Sequence, residues 1–241
     1  MRTVYGIILL CCLLLVSCKE ESSIESVKNE KQIKGYVRLS ANGVMQYDKI
    51  SGVEVSIGDK STITDSTGDW VLSSNFPDSV TVIIKKSGYG TYIKNDVKVE
   101  SYVSATLYSL PNYSITKLSV IPVQKNGNAL PYLTIATEAS SPAVYPDLRY
   151  VVLFFNTDSL VSYKPEEYLF AVEWWRPGQD NNFWISSSEN KNTYNIVWNQ
   201  PMYVVAYPIT SWGYAIDKKT GRKQYFNVGE AKSEIVKFLM P

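Results

Sequence analysis

Short apolar–polar alternations, broken by glycine-bearing turns, run through most of this 241-residue chain and leave few folds open to it. Ile33, Val37 and Leu39 share one parity, with Gly35 between them. Val53, Val55 and Ile57 share the next, then Val80, Val82 and Ile84, then Val103, Ala105 and Leu107. Period two over runs of about 4–8 residues means half-buried strands, because successive side chains leave a pleated strand on opposite faces. Beyond Pro111 the pattern resumes at 115–120, 133–137, 150–155, 168–174, 194–198, 203–207, 224–227 and 235–239. No amphipathic helix of convincing length interrupts it, although 157–167 has room for a short one. The expected class is all-β: two β-sandwich domains in tandem, 33–110 and 112–241. Pro111 stands at the junction, since proline ends a ladder.

The sharpest local pattern is Thr62-Ile63-Thr64-Asp65-Ser66-Thr67-Gly68-Asp69-Trp70-Val71-Leu72. Asp65 is suited to cap its own turn and Gly68 to take a positive φ, after which Trp70 and Leu72 restart the apolar face. With Gly35, the Gly52-Val53-x-Val55 run and Gly88-Tyr89, this order of residues resembles the carboxypeptidase regulatory-like family. The resemblance implies a transthyretin-like sandwich that serves as a structural or interaction module. Asp65 and Asp69 invite a calcium reading, but an EF-type loop needs more acids and a distal bidentate Glu, so a hairpin turn is expected and no metal site. In the second half, Asn126-Gly127 and Lys218-Lys219-Thr220-Gly221 are expected hairpin corners. Tyr203-Val204-Val205-Ala206-Tyr207-Pro208, followed by Thr220-Gly221 and a terminal Val/Phe strand, is distantly similar to fibronectin type III and other immunoglobulin-like modules.

The amino terminus carries an address. Arg2 precedes an apolar stretch from Val4 to Val16 that is too short for ~30 Å of hydrocarbon. Leu15-Val16-Ser17-Cys18 resembles the lipobox of bacterial lipoproteins. That resemblance implies a signal peptide over 1–17, cleavage before Cys18, lipidation of Cys18, and a flexible tether to residue 32. More than one acyl chain makes such an anchor stable. Lys19-Glu20-Glu21 is similar to the surface-export signal of Bacteroidota lipoproteins, so the expected place is the outer membrane, facing the exterior. Asp65-Ser66-Thr67, Asp78-Ser79-Val80 and Asp158-Ser159-Leu160 resemble the O-glycosylation acceptor of Bacteroides-type bacteria.

Composition excludes several chemistries. There is no histidine, which removes imidazole triads, the usual zinc sites and histidine acid–base work. Loss of residues 1–17 removes one of the 24 basic side chains and leaves 23 against 23 acids, so no basic excess serves nucleic acid. The three cysteines reduce to Cys18, so no disulfide is expected. No phosphate loop or nucleophile elbow appears, and no cofactor is expected.

The aromatic content is the unusual feature: six Trp and 18 Tyr. Neighbours on a strand face opposite ways, so Trp174 is assigned to a core with Tyr168, Phe170 and Val172, and Trp175 to the opposite face with Ala171 and Glu173. Trp175, Trp184 and Trp212, with Asp180, Asn181 and Asn182, form the candidate contact set for a glycan or an envelope-protein partner. Flat apolar rings match the CH faces of a sugar, and amides and acids bond its hydroxyls. A non-catalytic binding or scaffold lipoprotein, held by its membrane lipid and accessory to glycan capture or adhesion, is the expected function. Two alternatives stand beside it. One is a purely structural envelope component. The other is a carboxylate-based glycan hydrolase, whose only dense acids are Glu166, Glu167, Glu173 and Asp180 and which needs two carboxyls ~5–10 Å apart across a cleft.

Overall fold

The computed structural model describes residues 30–41, 44–48, 50–123, 132–140, 149–175, 181–184, 199–211 and 213–240. Among them every regular element is a strand. The first eight are β1 (Lys31–Ala41), β2 (Val44–Gln46), β3 (Glu54–Ile57), β4 (Lys60–Ile63), β5 (Asp69–Ser74), β6 (Ser79–Lys85), β7 (Tyr92–Lys98) and β8 (Tyr102–Tyr108). β1 pairs antiparallel with β5 and β2 and parallel with β8, while β4, β3, β6 and β7 line up in a second sheet. The residues singled out by parity meet between these sheets: Ile33, Val37, Leu39, Val55, Trp70, Val82, Val103 and Leu107 share one core. Burying such side chains away from water is the main force holding the sheets together.

Two features of the Thr62–Leu72 pattern explain its residues. Thr64 is buried, donates its hydroxyl to the Ile50 carbonyl at 2.8 Å and accepts from the Val53 N–H at 3.0 Å. The Asp65 Oδ1 accepts from the N–H groups of Thr67, Gly68 and Asp69, each at 2.9 Å, and Gly68 sits at φ +95°. That carboxylate closes its own turn, as the hairpin reading expects. The Thr67 hydroxyl, with the backbone N–H groups behind it, holds the Asp65 carboxyl below its usual range. Gly35 answers to packing. A Cβ there would lie 2.0 Å from the Val103 carbonyl oxygen and 2.8 Å from the Trp70 ring.

The remaining strands are β9 (Ile115–Val123), β10 (Tyr132–Ala139), β11 (Tyr150–Asn156), β12 (Phe170–Trp175), β13 (Asn181–Trp184), β14 (Pro201–Ile209), β15 (Tyr214–Ile216), β16 (Lys223–Tyr225) and β17 (Val236–Leu239). One sheet runs β13-β10-β9, a second β12-β11-β14-β17, and β15-β16 is a separate hairpin. Leu133, Ile135, Val151, Leu153, Phe155, Val204 and Phe238 fill the space between the two larger sheets. The far face of the β11–β14 sheet is buried too: Val152, Phe154, Val205, Tyr207 and Ile209 pack with Val161, Tyr168 and Tyr225. A strand buried on both faces reads as an unbroken apolar run, and Val151-Val152-Leu153-Phe154-Phe155 is one.

Three expectations change here. Residues 157–167 form turns, not a helix; the Asn156 side chain takes the Glu167 carbonyl at 3.0 Å and the Asp158 carboxylate the Leu160 N–H at 2.9 Å. Tyr168 belongs to the far-face core and Phe170 to the inter-sheet core, because the strand begins only at Phe170. The face assigned to Ala171 and Glu173 is covered in part, since both are half-buried. β13 and β15 were not anticipated. The runs at 194–198 and the Asn126-Gly127 corner lie outside the described residues.

Gly35→Ala is expected to cost about 3 kcal/mol, the upper end of the usual range for overpacking a tight core, because the added carbon meets a backbone oxygen. Thermal melting followed by circular dichroism should fall by roughly 5–10 °C, and an unchanged midpoint would refute the packing role. The Asp65 turn predicts a pH signature of defined sign. A carboxyl lowered on folding stabilises above its unfolded value of 3.8 and stops doing so as pH falls through its folded value. Melting temperature should therefore drop below about pH 4, and Asp65→Asn should flatten that drop while lowering stability at neutral pH.

Candidate functional site

Between β14 and β17 the chain leaves its sheet as an arm, residues 210–235, and the sequence dictates its tip. The Asp217 carboxylate accepts from the Thr220 N–H and hydroxyl, both at 2.7 Å, and Gly221 takes φ +71° as the corner requires. The hairpin so closed docks on β7 of the first sandwich. Thr91 N–H donates to the Phe226 carbonyl at 2.9 Å, the Asn95 amide to the Ile216 carbonyl at 3.3 Å, and the Lys218 ammonium pairs with Asp96 at 2.8 Å. A register shift between Val80 and Val82 marks a bulge opposite, and Asp96 itself sits at φ +56°. Bulges re-aim side chains, and this one presents Asn95 and Asp96 to the arm. Gly90 lets the backbones approach: a Cβ there would lie 2.2 Å from the Phe226 carbonyl oxygen and 2.8 Å from the Asn227 Cα.

A crevice of about 240 Å³ opens where the arm meets β7 and β8. Tyr92, Tyr108, Tyr214 and Phe226 give it aromatic walls, and the Tyr92 and Phe226 rings lie 5.6 Å apart. Thr91, Thr106 and Ser211 add hydroxyls, and none of its described lining residues is charged. Asn227, 1% exposed, also lines it. The Asn227 amide donates to the Thr210 hydroxyl at 2.8 Å, which donates in turn to the Ser109 carbonyl at 2.5 Å. Asn227 Oδ1 is buried and accepts from no described group. Beside this crevice a wider one, about 400 Å³, runs along Ile93, Lys94 and Asp96 toward Ile216 and Lys218.

Behind Tyr214 lies a polar cluster. Glu173 accepts from the Lys223 ammonium at 2.6 Å and the Tyr225 hydroxyl at 2.9 Å, and the same ammonium sits 4.3 Å from the Tyr214 ring centre. Burial, with the Glu173 charge second, pushes the Tyr225 phenol far above its ordinary value. Burial raises Tyr168 and Tyr207 to about 12. The Tyr168 phenol donates to the Lys223 carbonyl and the Tyr225 phenol to Glu173.

The sequence-predicted contact set is divided. Trp175 stands on β12 opposite Tyr150. Trp184, Asn182 and Asn181 stand on β13 opposite Tyr132, Thr134 and Ile135, in the other sheet of the second sandwich. Cys18, Asp180 and Trp212 lie outside the described residues, though Ser211 and Gly213, which flank Trp212, line the crevice. Ser66, Ser79 and Ser159 are exposed. Sequence reasoning followed tryptophan and missed Tyr92, Tyr214, Phe226 and Asn227. The only signal they gave was the tyrosine excess, which does not say which rings converge.

Comparison adds little. No family model matches this chain, and no curated protein matches it. Among solved structures, a candidate carbohydrate-binding protein from Bacteroides uniformis is similar at 14% identity, over 87% of this chain and 98% of that one, with a TM-score of 0.31. A DUF3823 family protein from the same species is similar at 11% identity over 88% and 100%, also at 0.31. A type II cohesin–X-dockerin complex from Acetivibrio cellulolyticus is similar at 22% identity over 33% of this chain, with a TM-score of 0.29, and the match spans 58% of that chain. Superpositions this loose carry no weight for the ligand.

Gly90→Ala should force the arm off β7. Small-angle scattering is expected to show a larger radius of gyration, and hydrogen exchange to speed up at Thr91; unchanged values for both would show that the junction does not depend on the missing Cβ.

Proposed function

We propose that this chain is a non-catalytic binding protein of the bacterial cell envelope, anchored in the outer membrane by lipid on Cys18 and facing the exterior. The observation that carries the binding reading is the uncharged, aromatic-walled crevice at the junction of the two sandwiches. Concave sites with apolar walls and a few convergent polar groups are where small ligands bind. Of the acids considered for hydrolysis, the three among the described residues do not favour it. Glycoside cleavage needs one carboxyl held protonated and a second facing it. Glu167 is held below its usual range, chiefly by the Ser162 hydroxyl and then by Lys164. Glu173 is committed to Lys223 and Tyr225. Glu166 lies beside Glu167 in a turn rather than on a strand. The lipobox resemblance supports the anchor, and Lys19-Glu20-Glu21 supports the outward face.

The full chain in detergent, applied to an array of neutral glycans, is expected to retain at least one and to release no reducing ends from it. Retention of none, or release of product, would overturn the reading. Labelled palmitate should enter the wild-type protein in cells and be lost in Cys18→Ala, and whole-cell protease shaving should remove the wild-type chain.

A further inference from the structure

We infer that the junction crevice is built for one neutral, polyhydroxylated ring of pyranose type, held against the Tyr92, Tyr214 and Phe226 rings. The inference rests on the binding reading above and gives that site a ligand class. At about 240 Å³ the crevice falls below the roughly 300 Å³ where sites for drug-sized ligands begin, so it suits a single ring. Charge comes next. Desolvating an ionised ligand without a partner costs far more than such a site returns. Among its described lining residues there is neither Lys or Arg for an anion nor Asp or Glu for a cation.

The walls specify the rest. Tyr92, Tyr108, Tyr214 and Phe226 present aromatic surface to the CH faces of a ring, while Thr106 and Ser211 present hydroxyls to its edge. Tyr214 is 42% exposed and backed by the Lys223 ammonium, which holds the ring in place without entering the crevice lining. Asn227, itself bonded to Thr210, packs behind this wall and holds the Phe226 turn against Gly90.

The test uses the full chain in detergent with glucose, galactose, mannose and N-acetylglucosamine as neutral probes, and glucuronic acid and glucosamine as charged ones. Saturation-transfer NMR is the readout. At least one neutral sugar should bind at millimolar concentration, at least about tenfold more tightly than either charged probe. Tyr214→Ala, at an exposed position, and Thr106→Phe, which fills the space, should each weaken binding about tenfold or more with little change in melting temperature. Binding by Tyr214→Ala and Thr106→Phe equal to wild type would overturn the assignment. So would failure of all four neutral sugars. If the array retains a glycan and the crevice variants retain it equally, this inference falls while the binding reading stands; if the array retains none, both fall.

Discussion

The architecture of residues 31–241 turns on one place where a side chain is impossible. At Gly90 the backbone of the first sandwich approaches the carbonyl of Phe226 closely enough that a single added carbon would overlap it. That approach lets Thr91 donate to Phe226, brings the Phe226 ring against Tyr92, and seats Asn227 at the crevice wall. The Lys218–Asp96 pair and the Asn95–Ile216 bond then fasten the hairpin tip. An exposed ion pair adds little by itself. The ordering comes from the backbone bonds and ring packing that the missing Cβ permits.

The second sandwich is arranged to support this contact. Its β11–β14 sheet is covered on one side by β9, β10 and their neighbours and on the other by the arm and the 157–168 turns. A sheet wetted on one face would leave the arm free to move. Here Tyr225 is a core residue on that far face, and its neighbour Phe226 is the residue that reaches the first sandwich. Packing of the core and placement of the crevice are therefore one event, and Glu173, bonded to Lys223 and Tyr225, ties the arm back to β12.

Much of the first sandwich was legible beforehand. Parity alone selects Ile33, Val55, Val82 and Val103, and period two has only one meaning when one face is dry. The Asp65 turn was equally clear, because a short carboxylate followed three residues later by glycine specifies both the acceptor and the positive φ. Parity misled where both faces are buried. Tyr168 shares the parity of Phe170 but precedes the strand, so it enters a different core. The candidate site was barely legible, since Tyr92, Tyr214 and Asn227 stand far apart in sequence and none carries a local pattern.

The sequence by itself determined the class of fold, the turns that punctuate it and the chemistries closed to it, because these depend on residue type and near-neighbour spacing. Tertiary structure decided which rings meet, that the central sheet is dry on both faces, and where a buried amide oxygen has no acceptor bond among the described residues. Those outcomes depend on how sheets and cores approach one another, and the approach is set by excluded volume at residues such as Gly90 and Gly35, where the informative quantity is the space a side chain does not occupy.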